Sequence, residues 1–83
     1  MTDRISCCVP FCRRTHANPK GWVEWVCGKH WAMVSKSLRR RRAKVQRAIK
    51  RESDPDRVSR LYYCDEVLWR KGLKQAIERA AGI

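Results

Sequence analysis

The sequence predicts a small α+β protein in two unlike parts: a turn-rich front that needs a staple, and a hairpin of two helices behind it. Three observations carry this reading. Four of the five cysteines and both histidines fall before residue 31. Residues 31 to 83 instead space their apolar side chains for helices. Glu52-Ser53-Asp54-Pro55 interrupts that spacing once and offers a restart, with Asp54 as N-cap and Pro55 in the first turn.

The length of 83 residues allows one domain, 1–83, and no second one. A chain this short rarely gains more than ~3–5 kcal/mol from its apolar core, which is why a staple is expected. Residues 7–31 read as the stapled lobe, 32–51 as a basic helix and 55–81 as a second helix. No internal repeat is evident.

Along the chain, Cys7-Cys8-Val9-Pro10-Phe11-Cys12 is a compact loop with a proline inside. Asn18-Pro19-Lys20-Gly21 is a strong turn signal, since Pro fixes φ and Gly permits φ > 0. Trp22-Val23-Glu24-Trp25-Val26 is rich in strand-favouring side chains. It is expected to be the second strand of a β-hairpin running into Cys27, with Trp22 and Trp25 on opposite faces, so that at least one of them is exposed.

Beyond Cys27, Trp31, Val34, Leu38, Val45 and Ile49 form a single apolar stripe, each within about 40° of Leu38 at ~100° per residue. Ser35 or Ser37 is available to cap a new helix after a first short one. After Pro55, residues Val58, Leu61, Tyr62, Leu68, Trp69, Leu73, Ala76, Ile77 and Ala80 recur every three or four positions. The short connection favours antiparallel neighbours. Tyr62, Trp69 and Leu73 are expected in the hairpin core, and the second helix is expected to end near Gly82.

Several classes are excluded. No stretch reaches the ~18–20 apolar residues of a membrane span. Met1-Thr2-Asp3-Arg4-Ile5-Ser6 has no apolar run of the kind a secretory signal needs, so a cytoplasmic, reducing location is expected. There, cysteines serve as metal ligands more often than as disulfides, and an odd count of them agrees.

The candidate ligands are Cys7, Cys8, Cys12, His16, Cys27, His30 and Cys64. Cys27 and His30 stand at C-x2-H, and at the start of a helix residues i and i+3 share a face. The proline-containing loop can present two thiolates from a tight knuckle, either Cys7 or Cys8 with Cys12. The result is a tetrahedral Cys3His set for one structural Zn2+. Such an ion contributes ~10–16 kcal/mol of apparent binding free energy in finger peptides, far more than the apolar residues of this lobe could. His16 sits in a polar turn and reads as solvated; Cys64 lies mid-helix and reads as a small hydrophobe. Trp31, just after His30, is expected to pack over the site. Four protein ligands leave no open position for a catalytic water.

Cys7-x-Val9-Pro10-x-Cys12-Arg13 followed by Cys27-Gly28-Lys29-His30-Trp31 resembles the small treble-clef-like zinc modules of phage and prophage proteins, which read C-x-[VI]-P-x-C and then C-x-x-H with an aromatic residue. The match spans about residues 7 to 50. The resemblance implies a treble-clef-like knuckle, a β-hairpin and a helix whose first turn supplies the last two ligands. It also aligns Cys7 with the first ligand, giving Cys7, Cys12, Cys27 and His30; the adjacent Cys8 is a departure from the pattern.

The chain carries 20 Lys and Arg against 8 Asp and Glu, a formal net charge of +12. Residues 36 to 51 hold Lys36, Arg39, Arg40, Arg41, Arg42, Lys44, Arg47, Lys50 and Arg51 and no acid. An ordinary solvated helix mixes signs, so this one repels itself until an anion relieves it. Lys36, Arg40, Lys44, Arg47 and Arg51 form a ridge opposite the apolar stripe, with Arg39 and Lys50 beside it, spaced for a phosphate backbone. Arg13, Arg14, Lys20 and Lys29 are available to extend it. Arg41 and Arg42 flank the seam, where their stems are expected to lie along the core with the heads in water.

The function expected from these features is non-catalytic nucleic-acid binding through phosphate contacts, with DNA favoured over RNA by the family resemblance alone. The competing expectation is a small adaptor or modulator that binds a host or phage protein, or a second copy of itself, through the helices and an exposed Trp. An HNH-type nuclease would need further His, Asn or Asp in a second ββα unit, and residues after 52 read as helix instead.

Overall fold

The computed structural model describes residues 3–82. The reading of Met1–Ser6 as no leader therefore begins outside the described residues, and so does the last residue of the expected domain.

Five elements follow in order: β1 (Arg4–Ser6), β2 (Thr15–Ala17), α1 (Gly28–Trp31), α2 (Lys36–Arg51) and α3 (Pro55–Ala80). The two strands pair antiparallel, with Ile5 opposite His16. Backbone bonds from Cys7 N–H to Arg14 O (3.0 Å) and from Asn18 N–H to Asp3 O (2.8 Å) continue the ladder at both ends. The cysteine loop is thus the tip of this hairpin.

This corrects the expected hairpin. Trp22–Val26 forms no strand. Its start is fixed by a side chain instead: Asn18 Nδ2 donates to Trp22 O at 2.7 Å and Trp22 N–H donates to Asn18 Oδ1 at 2.9 Å, with Gly21 between them at φ +70°. Beyond that, Trp25 O receives a bond from the knuckle, from Cys8 N–H at 2.8 Å. Val23 is 90% exposed, with no strand beside it to cover its side chain. Strand propensity is expressed only where a partner edge is present.

Ser35 decides the helix break. Its Oγ accepts from Leu38 N–H at 3.3 Å and starts α2, so α1 is a separate turn. Asp54 caps α3 by accepting from Asp56 N–H, and Pro55 fills the first turn. The pairs Ser35–Gln75, Leu38–Gly72 and Arg42–Asp65 run in opposite senses along the two segments, which makes α2 and α3 antiparallel. At ~1.5 Å per residue α3 outreaches α2, and α1 packs against it as well.

One cluster forms the core: Cys7, Val9, Val26 and Cys27 from the front with Val34, Leu38 and Ala76 from the helices and the turn between them. Front and helices therefore share their buried surface. A clasp reinforces the seam. Arg70 donates to Glu24 at 2.8 Å and to Glu66 at 2.9 Å, and Trp69 Nε1 reaches Glu24 at 3.5 Å. Tyr62, expected in the core, is exposed, as are Tyr63 and Ala80. The shielded positions on α3 are Leu68, Gly72 and Ala76 at spacings of four, and Tyr62 is turned away from them.

Candidate metal centre

The knuckle is built from a tight turn. Cys12 N–H donates to Val9 O at 3.1 Å, Pro10 occupies the second position and Phe11 the third, at φ +67°. A negative φ at Pro followed by a positive one defines a type II turn. It brings Cys7 and Cys12 round to the same side. Cys27 stands at the N-cap of α1, and its N–H donates to Cys7 Sγ at 3.3 Å. One turn on, His30 returns to the same face.

These four side chains converge. The ligand atoms of Cys7, Cys12, Cys27 and His30 all lie within 4.8 Å of one another. Cys12 Sγ is 3.9 Å from Cys27 Sγ, and His30 Nδ1 is 3.2 Å from Cys27 Sγ and 3.8 Å from Cys7 Sγ. Ideal tetrahedral coordination with metal–sulfur bonds of ~2.3 Å and metal–nitrogen bonds of ~2.0 Å requires separations of ~3.5–3.8 Å. The donors need to move only slightly to hold one metal ion. Cys7 and Cys27 are buried, and Cys12 and His30 half-buried, so the cluster is closed on its inner side.

The two buried thiols differ in acidity. Burial pushes Cys7 above the ordinary thiol value. Burial acts the same way on Cys27, but the backbone N–H of His30, the thiols of Cys12 and Cys7, and the N–H of Lys29 together bring it below that value. A helix start aimed at a sulfur favours the thiolate, the form that binds a metal.

The other candidate ligands lie elsewhere. Cys8 is half-buried against the core and outside the group. His16 is exposed on β2, its Nδ1 2.7 Å from Ala17 O and its ring 5.3 Å from Trp25. Cys64 is exposed on α3, not packed as a small hydrophobe.

Trp31 is half-buried against the core cluster that contains Cys7 and Cys27. One residue past His30, it is carried ~100° round the helix and stacks on Trp69, with ring centroids 5.4 Å apart. Arg42 lies over both rings, at 5.5 and 5.0 Å, with its Nε 3.0 Å from Asp65 Oδ1. This corrects the expectation that only its stem would lie along the core: the head itself is held in the seam. The indoles and the carboxylate together draw it in. Trp22, Trp25, Trp31 and Trp69 all line one open cleft between the front and the helices. The sequence carries no signal for that gathering, because the four are spread over 48 positions.

The cations of α2 divide by face. Lys36, Arg40, Lys44, Arg47, Lys50 and Arg51 line the outer side and are all exposed, and Arg41, beside the seam, is exposed as well. None has a carboxylate within 4.0 Å among the described residues; the ion pairs there use Arg42, Arg57, Arg70 and Lys74. Arg39 is half-buried, and its Nε donates to Val34 O at 3.0 Å, closing the turn between α1 and α2. It is partly withdrawn from the surface that the other six predicted residues share.

Among the described residues, fold and site together define a small protein of one two-stranded sheet and three helices with a Cys3His cluster able to hold a metal ion. In comparison with known proteins, no family model, no curated protein and no solved structure matches the chain. No helix among the described residues is long and apolar enough to cross a membrane.

Proposed function

We propose that this is a non-catalytic zinc protein that binds nucleic acid, duplex DNA first, through the phosphate backbone. The observation that carries the reading is the bare cationic face of α2: six of the seven predicted contact residues, all but Arg39, lie on its outer side and lack a carboxylate partner among the described residues. Unrelieved like charge along one helix destabilises it, and a polyanion removes the repulsion.

Zinc is the metal that three thiolates and one imidazole at tetrahedral spacing suit best. Bound by all four, it has no open position, and its role is structural. It ties the knuckle to the start of α1 and so fixes the direction in which α2 leaves the lobe. The phage-type zinc modules that the motif resembles supply the preference for DNA.

A second reading is an adaptor for a protein partner, supported by the cleft that collects all four tryptophans beside Glu24 and Glu66. Fluorescence anisotropy with a random duplex across a salt series separates the two. Tight binding at low salt that weakens steeply with added salt supports the DNA reading; no binding at low salt favours the adaptor.

A further inference from the structure

The tip of the knuckle carries a feature that neither metal binding nor the α2 face uses. Phe11 occupies the third position of a type II turn, the position that glycine fills most easily, and holds φ +67° there. Its side chain is fully exposed. The ring therefore strains the backbone and buries nothing within the molecule.

Its neighbours select the kind of partner. Phe11 shares a shallow recess with Arg13, Arg14, Lys29 and His30. Arg13, Arg14 and Lys29 have no carboxylate within 4.0 Å among the described residues. An aromatic ring among three free cations, with Pro10 and Ala80 the other exposed apolar lining of the recess, is poorly placed for an apolar protein pocket, which would have to desolvate those charges. It is well placed for a ligand that alternates flat apolar faces with anions. Nucleic acid has that pattern, and an aromatic ring stacks on any base whose face is free. The tip is also anchored. Cys12 follows Phe11 directly, and Lys29 precedes His30, so two side chains of the Cys3His cluster hold the recess.

The geometry points to Phe11 as a base-stacking finger for nucleic acid with an unpaired base, such as a bulged duplex, with Arg13, Arg14 and Lys29 on the flanking phosphates. This rests on the nucleic-acid reading and deepens it: α2 supplies sequence-independent affinity, and the knuckle tip supplies a preference for distorted over fully paired DNA.

The test uses the full-length zinc-loaded protein and two labelled duplexes that differ by one unpaired base. Wild type should favour the bulged duplex by ~10-fold, the scale of one base–aromatic stack. Phe11→Gly should abolish that preference while keeping the affinity for paired duplex and its salt slope, and Phe11→Tyr should retain it. Because glycine suits the turn, Phe11→Gly is expected to fold, and an unchanged near-UV spectrum and zinc content check this. If wild type binds paired duplex in a salt-dependent way but shows no preference, or if Phe11→Gly keeps the preference, the stacking proposal is overturned and the α2 reading stands. If wild type binds neither duplex, both fall.

Discussion

The ring of Trp31 occupies the space that a side chain on Gly72 would take. A Cβ at Gly72 would stand 2.7 Å from Trp31 Cη2 and 2.9 Å from Cζ3. Glycine inside a helix is unfavourable by ~1 kcal/mol relative to alanine. Here, within the 26 residues of α3, it lets the indole approach the backbone closely, stacked on Trp69 and covered by Arg42. The residue next to His30 thereby docks the cysteine lobe onto the helices.

Gly72→Ala should consequently destabilise the protein by about 1–2 kcal/mol, the overpacking penalty outweighing the gain in helix propensity. Urea unfolding followed by Trp fluorescence measures it. A neutral or stabilising result would mean that Trp31 can move aside without cost.

Cys27→Ala or His30→Ala should release about one zinc per chain and also disturb the Trp31–Trp69 stack, because Cys7, Cys27, Leu38 and Ala76 belong to one core. Metal analysis and near-UV circular dichroism read the two effects together. Cys8→Ala and Cys64→Ala, which alter cysteines outside the group, should keep the metal. Loss of zinc in either would reassign the ligands.

Replacing Arg40, Lys44 and Arg47 with Gln should leave the fold intact and reduce the log–log salt slope of duplex binding, by ~0.9 for each phosphate no longer neutralised. An unchanged slope would place the binding surface elsewhere.

Arg42→Gln is the contrasting case on the same helix. Its guanidinium is engaged by Asp65 and two indoles, so the substitution should lower stability by about 1 kcal/mol and leave the salt slope alone. A slope that falls as much as for a ridge residue would show that Arg42 leaves the seam to meet the ligand.

Phe11→Gly should stabilise the isolated protein by about 1 kcal/mol, since the left-handed backbone at φ +67° disfavours any side chain. Thermal unfolding of the zinc-loaded form reads this directly. Unchanged or lower stability would remove the argument that the ring strains the turn.

What the amino-acid sequence determined by itself was local. Asp54 and Pro55 start α3 through a bond reaching two residues ahead, and C-x2-H puts Cys27 and His30 on one face because one turn separates them. The charge periodicity of residues 36 to 51 follows from helix geometry alone. Tertiary structure decided what depends on distant partners. Trp22–Val26 had strand-forming side chains, but the edge facing β1 was taken by Thr15–Ala17. Tyr62 had core spacing and Arg42 a surface character, yet packing across the hairpin left the first in water and drew the second inside. The glycine that admits Trp31, the phenylalanine in a glycine's turn and the four tryptophans around one cleft are visible only once the chain is folded and its segments packed together. Capping and periodicity act over about four residues; burial is settled by whichever long-range neighbour arrives.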